Sequence, residues 1–263
     1  QLHPTGPKHD YAYHTEAMDR AMEGDIDDVG IGVLFGLYKY RYDFVGLIMH
    51  AEHLEAKFGV GPHTISVPRI RPADDIDVSE FPEAIVDSLF KKIVALIRIS
   101  TPYTGMIIST RESASSREEV LEIGVSQISG GSSTSVGGYA EKELLEDNSA
   151  QFDTSDKRTL DEIIYWLMNS GYVPSFCTAC YRAGRTGDRF MALAKSGQIG
   201  NVCQPNSLMT LTEYLLDYAS PETKKLGEQL IQKELAHILD ANVKRRSEEY
   251  ILQMEHGSRD FRF

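Results

Sequence analysis

Between residues 28 and 129 the chain alternates short apolar or β-branched segments with longer segments of helical period, and this alternation limits the fold more than any other feature. The strand-like segments are residues 28–36, 63–67, 106–110 and 125–129. Between them, residues 43–58 place Phe44, Ile48, Ala51, Leu54 and Phe58 on one side, and Gly59 follows as a helix stop. Residues 81–99 predict a second helix with Pro82 in its first turn. Residues 115–123 predict a third, with Ser116 and Glu119 at the spacing of a capping box. An earlier helix over residues 10–23 carries Tyr13, Ala17 and Ala21 at a helical repeat. Strands joined by helices lie parallel, because a parallel pair needs a long crossover that a hairpin cannot supply. The expected fold class is therefore α/β.

The texture changes after the last strand. Residues 131–156 are rich in Gly, Ser and acids and read as a linker or excursion. Helical segments follow over residues 160–170, with Ile163, Ile164 and Leu167, and over 188–195 and 207–218. Pro221 opens a long helix carrying Leu226, Leu230 and Ile238. Two domains are expected, residues 1–140 with the parallel sheet and residues 141–263 mainly helical. In the second, Cys177, Cys180 and Cys203 are the only cysteines of the chain. An odd count is poor disulfide arithmetic and suits a reducing compartment, the cytoplasm or a reducing organelle lumen. A Cys-x-x-Cys pair brings two thiolates to one metal, and a third cysteine completes a cup. Neither a fourth cysteine nor a histidine between Cys180 and Cys203 closes a zinc site. Three thiolates suit a cubane iron–sulfur cluster with one iron open to an outside ligand. Zinc completed by a distant histidine, or incidental buried cysteines, are the alternatives.

Charge narrows the partners. Asp and Glu number 39 against 27 Lys and Arg, a formal charge of -12. That balance disfavours nucleic acid, which binds through basic patches, and an anionic membrane surface. No apolar run approaches the roughly eighteen residues of a membrane-spanning helix.

In a parallel sheet, ligands gather at the carboxyl ends of the strands. The candidates there are the turn at Gly36, Arg69 and Arg71, the run Ser109-Thr110-Arg111-Glu112, and Ser129. Arg111 offers a planar fork for a carboxylate, or a salt bridge to Glu112. Gly30, Gly32 and Gly36 form a loose glycine pattern or allow close backbone packing. His63 stands at the start of its strand, on the opposite rim. The rigid turn Gly59-Val60-Gly61-Pro62 before it would hold its ring accurately.

Taken together, the stretch Gly59-Val60-Gly61-Pro62-His63-Thr64-Ile65-Ser66, the run Ile108-Ser109-Thr110-Arg111-Glu112 and the three-cysteine spacing resemble the second half of the HydG family. These are radical S-adenosylmethionine (SAM) tyrosine lyases of [FeFe]-hydrogenase maturation. The sheet region also looks like ThiH, the tyrosine lyase of thiazole synthesis; the cysteine tail favours HydG. The resemblance implies the second half of a TIM-type (β/α) barrel followed by a helical iron–sulfur domain. It implies a cytoplasmic enzyme in which SAM and one [4Fe–4S] cluster generate a radical. Tyrosine is then cleaved to p-cresol and dehydroglycine, and the latter becomes CO and cyanide on iron. It implies that Cys177, Cys180 and Cys203 hold a second, auxiliary [4Fe–4S] cluster and that His63 holds an extra iron. It implies that Ser109, Arg111 and Ser129 bind substrate, and that Gly32, Leu34, Gly36 and Arg69 contact SAM. Other hydrogenase-maturation proteins are the implied partners. The chain departs from the family in lacking the CxxxCxxC motif that holds the SAM cluster, and in carrying His14 where an Arg is usual. As written it reads as a fragment, with four staves of an eight-stave barrel. The competing expectations are ThiH-like chemistry for thiamine, and a non-catalytic iron–sulfur scaffold.

Overall fold

The computed structural model describes residues 3–72, 77–134, 139 and 154–263. The chain divides into two compact units, Gln1–Lys157 and Arg158–Phe263. The boundary expected between residues 140 and 141 lies outside the described residues.

The first unit opens with α1 (Tyr11–Thr15) and α2 (Ala17–Glu23). It continues β1 (Gly30–Gly32), α3 (Tyr40–Phe58), β2 (Thr64–Ser66), α4 (Asp87–Ser100), β3 (Gly105–Ile108), α5 (Ala114–Ile123) and β4 (Gln127–Ile128). The four strands form one parallel sheet in the order β1-β2-β3-β4, each pair joined by a crossover helix. Ile31, Ile65, Met106 and Ile108 are buried from the strands, and α4 buries Phe90, Ile93, Val94 and Ile97. In α4 the apolar residues at positions 90, 93, 94 and 97 form the one-sided stripe that makes an isolated helical segment dock on a sheet. Gly32 pairs with Ser66, and a Cβ on it would stand 2.7 Å from the Ser66 carbonyl oxygen. A side chain there would push β1 off β2.

Three expected boundaries moved. The single helix over residues 10–23 is two, divided at Glu16, where Thr15 Oγ1 donates back to the Tyr11 carbonyl at 2.8 Å. The helix expected from residue 81 begins at Asp87, leaving Pro82 outside it; Val86 is extended, and the Ile85 carbonyl accepts from Arg69 Nη1 at 2.8 Å. The cap of α5 is Ser113, which accepts from the Ser116 N–H at 3.3 Å, and Ser116 is instead buried with its hydroxyl on Glu112.

The second unit contains α6 (Leu160–Asn169), α7 (Ala179–Arg182), α8 (Gly187–Lys195), α9 (Gly200–Asp217), α10 (Pro221–His237) and α11 (Ala241–Glu255). A capping box between Thr159 and Glu162 starts α6. Helix α9 is the axis: Leu208, Met209, Leu211 and Leu215 are buried with Ile164, Met168, Leu230, Ile231, Leu235 and Met254. Gly227 allows α10 to approach, since a Cβ there would lie 2.4 Å from Leu215 Cδ1. Helix α9 starts seven residues before the expected 207, so Cys203 lies within it, as does Pro205. No helix among the described residues is long and apolar enough to cross a membrane.

Candidate substrate and metal sites

Strands β2 and β3 end at Ser66 and Ile108, and a cavity of about 250 Å³ opens just beyond them. Its walls include Ser66, Arg69, Ser109, Arg111 and Glu112. Ser109 Oγ accepts the Arg111 N–H at 3.3 Å, which fixes the turn presenting the guanidinium. Partial burial lowers the pKa of Arg111, so its charge is poorly solvated. A cation held this way gains from an anionic ligand.

Arg69 is buried and densely engaged. Its Nε donates to Glu112 Oε1 at 2.8 Å and its Nη2 to Glu112 Oε2 and Asp87 Oδ1, each at 2.6 Å. Its guanidinium also lies over the Phe90 ring at 4.4 Å. Glu112 is thus occupied by Arg69 within this cavity. Ser129 does not line the cavity with Ser109 and Arg111. Its N–H donates to the Ile108 carbonyl at 3.2 Å, and its carbonyl accepts from Arg117, which also pairs with Asp156.

The segment after β1 runs beside the segment after β2. The Phe35 N–H donates to the Pro68 carbonyl at 3.0 Å and the Ile70 N–H to the Phe35 carbonyl at 2.9 Å. This places Gly32, Leu34 and Gly36 at the carboxyl edge of the sheet, with Leu34 exposed and Gly36 at a φ of 103°. Ser66 belongs to this edge too. Sequence reasoning placed it in a strand and passed over it, although the last residue of a parallel strand is where site residues collect.

His63 lies at the other end of β2. Its N–H donates to the Val29 carbonyl at 2.9 Å, and its Nδ1 is 3.5 Å from Asp28 Oδ1. The imidazole lies near the Asp28 carboxylate, a group of the kind that orients metal-binding histidines when the two come within hydrogen-bond distance.

In the second unit, Cys177 precedes α7, Cys180 lies within it and Cys203 lies in the first turn of α9. The Phe176 N–H donates to Thr210 Oγ1 at 3.2 Å and the Phe176 ring stacks on Tyr214 at 5.3 Å, so the cysteine loop is seated on α9. All three cysteines are free thiols. Among the described residues, no three His, Cys, Asp or Glu side chains converge to hold a single metal ion. An iron–sulfur cluster held by thiolates would be an anionic group. Two features fit such an anionic group. Cys177 Sγ accepts the Ala179 N–H at 3.3 Å. The Nε of Arg185 is buried without a hydrogen-bond partner among the described residues. Burial and the neighbouring Cys180 and Cys177 raise the pKa of Cys203, while Arg185 lowers it, so these groups sense one another.

Residues 66–173 match the Biotin and Thiamin Synthesis associated domain family. The whole chain superposes on a crystal structure of HydG, a maturase of the [FeFe]-hydrogenase, with a TM-score of 0.95 and 56% sequence identity. The resemblance to HydG holds from end to end. A second HydG structure, from Carboxydothermus hydrogenoformans, is 39% identical over 95% of the chain with a TM-score of 0.72. The 2-iminoacetate synthases of Salmonella typhimurium and Escherichia coli K12 are 29% and 28% identical over 66% and 65% of the chain. The chain covers 56% and 53% of the two HydG chains and 45% of each synthase, so it spans about half the length of the relatives it matches.

Proposed function

We propose that this chain provides the substrate rim and the auxiliary-cluster domain of a HydG-type radical SAM tyrosine lyase. The parallel sheet is then the second half of a (β/α) barrel. Tyrosine would be cleaved to p-cresol and dehydroglycine, and the latter converted to CO and cyanide for hydrogenase maturation. The observation that carries this reading is the similarity to HydG over the full chain, three-cysteine region included.

SAM with its cluster supplies the radical, and the auxiliary [4Fe–4S] cluster with an extra iron supplies the site for CO and cyanide. The chain's own residues bind and orient. Arg111 and Ser109 receive the substrate carboxylate, because that cavity offers a cation with poor solvation and a hydroxyl within one turn. Ser129, beside the end of β3, completes the edge. Leu34, between Gly32 and Gly36, gives an apolar surface for the adenine of SAM. With four hydrogen bonds to protein, Arg69 contributes to the SAM side by fixing the two loops. Cys177, Cys180 and Cys203 hold the cluster, and His63 holds the extra iron.

The similarity to 2-iminoacetate synthases supports a second reading, tyrosine cleavage that stops at dehydroglycine. The decisive experiment supplies the full-length protein, reconstituted without oxygen, with SAM, reductant and tyrosine. The proposal expects p-cresol together with infrared bands of iron-bound CO and cyanide. Production of p-cresol without those bands favours the second reading, and no p-cresol removes both.

A further inference from the structure

After α11 the chain doubles back through Gly257, at a φ of 97°, and Arg259–Phe263 runs across the elements that carry the cysteines. Almost every residue of this segment is tied. Arg259 forks onto Asp217, with Nε–Oδ2 at 2.9 Å and Nη2–Oδ1 at 2.6 Å. The Asp260 N–H donates to Glu213 Oε1 at 2.5 Å, and its carboxylate takes both terminal nitrogens of Arg182. Asp260 has a φ of 70°, a left-handed conformation that aspartate adopts more readily than most non-glycine residues. The Phe261 ring stacks on Tyr250 at 4.3 Å. The Phe263 N–H donates to Asn206 Oδ1 at 2.9 Å, while its carbonyl accepts from Arg185 Nη2 at 2.9 Å and from Asn206 Nδ2 at 3.3 Å.

These contacts are concentrated where the cysteines are. Arg182 is in α7 with Cys180, and the Arg185 N–H donates to the Cys180 carbonyl at 2.8 Å. Asn206 lies about one turn beyond Cys203 in α9. The tail is therefore bonded both to the element that carries Cys180 and to the helix that carries Cys203. Phe261 and Phe263 also pack against the core of the second unit, so the segment is anchored there as well as bonded to the cysteine-bearing elements. Arg185 stands at the centre. One terminal nitrogen is fixed on Phe263, and its Nε–H is buried without a partner among the described residues.

We infer that Arg259–Phe263 is a clasp that sets the separation of the α7 and α9 cysteines. Held by that clasp, Arg185 is a positioning residue whose Nε–H and charge serve the anionic group the three thiolates bind. The role of Arg185 rests on the proposed cluster; the role of the clasp is a property of the protein alone.

Two measurements on the full-length protein separate these. In the metal-free protein, Arg182→Gln and Asp260→Asn each break the surface pair that holds the tail to α7, so alkylation of Cys180 and Cys203, followed by mass spectrometry, should quicken about threefold or more. Arg182 is at the surface, so its replacement leaves the core intact. Unchanged alkylation in both variants overturns the clasp. In the reconstituted protein, the auxiliary cluster of Arg185→Gln should have a more negative reduction potential, because a cation and a donor near the cluster favour its reduced form. Arg185→Lys should restore part of the shift, and Arg182→Gln little of it should show. A fully loaded Arg185→Gln protein with the wild-type potential overturns the role of Arg185. If the wild-type protein takes up no iron at the three cysteines, the proposed function fails there, and the alkylation rates still decide the clasp.

Discussion

Arg69 and Glu112 meet in a two-point ion pair inside the first unit, with Nε–Oε1 at 2.8 Å and Nη2–Oε2 at 2.6 Å. Their side chains are 1% and 4% exposed. One residue follows β2 and the other follows β3, so the pair ties together the two loops that flank the cavity. It also sets the backbone next to Arg111. A buried arginine left without its carboxylate keeps a charge that water cannot reach.

Glu112→Gln should therefore destabilise the protein by about 3 kcal/mol, a cost typical of breaking one side of a buried pair. Asp87→Asn removes the other carboxylate on Arg69, but the Asp87 side chain is 70% exposed, and the loss should stay below about 1 kcal/mol. Urea unfolding of the two variants beside the wild type checks the contrast. Equal losses would mean that Asp87 compensates Arg69 as much as Glu112 does.

A second ion cluster makes a pH prediction. Asp19 of α2 accepts from Lys57 of α3 at 2.9 Å and lies 2.8 Å from His53 Nε2. The Lys57 hydrogen bond, opposed by burial and assisted by His53, draws the Asp19 pKa down from 3.8 to about 2. A carboxylate lowered in the folded state stabilises it above the unfolded pKa, and the benefit fades as pH falls through the folded value. Asp19→Asn should be less stable than wild type at pH 7, and the gap should narrow from about pH 4 downward. Thermal melts at pH 7, 4 and 3 read this directly. A gap that widens in acid would contradict the assignment.

How much of this was legible in the sequence differs by element. The parallel order of the sheet follows from strand–helix alternation alone, and Gly59 ends α3 as expected, at a φ of 75°. The start of α4 was not legible, because it depends on the Ile85 carbonyl being taken by Arg69 from a distant loop. The Ser116–Glu119 spacing was misleading for a similar reason. Ser116 is drawn inward to Glu112, and Ser113 is free to cap. Arg111 and Ser109 were singled out because ligands gather at the strand ends of a parallel sheet, and both line the cavity there. Arg185 and Asn206 were not found, since their meaning comes from a tail some sixty to eighty residues later, through separations of 78 and 57 positions.

Arg111→Lys tests the substrate rim. An ammonium keeps the charge but loses the planar fork that grips both carboxylate oxygens. Tyrosine affinity in the full-length enzyme should fall by about 2–4 kcal/mol, the range for a desolvated charge pair that loses its geometry. The KM for tyrosine and the p-cresol yield at saturation measure it. Unchanged values remove Arg111 from the site.

The final prediction separates the two chemistries by place. The residues proposed for substrate lie at the carboxyl end of the sheet, whereas His63 precedes β2 and stands three positions before Ser66, about 10 Å along a strand. The cysteines belong to the second compact unit. Damage at the thiolates should therefore leave the local geometry around Ser109 and Arg111 intact. Replacing Cys177 and Cys180 by Ser exchanges soft thiolates for hard, mostly protonated hydroxyls that bind iron weakly. The double variant of the full-length protein should still form p-cresol but lose the infrared bands of iron-bound CO and cyanide. His63→Ala should weaken those bands less severely, because the cubane keeps its three thiolates and only the extra iron loses a ligand. If the cysteine variant forms the iron-bound products at the normal rate, or His63→Ala abolishes p-cresol, the cysteines and His63 serve a different purpose from the one proposed.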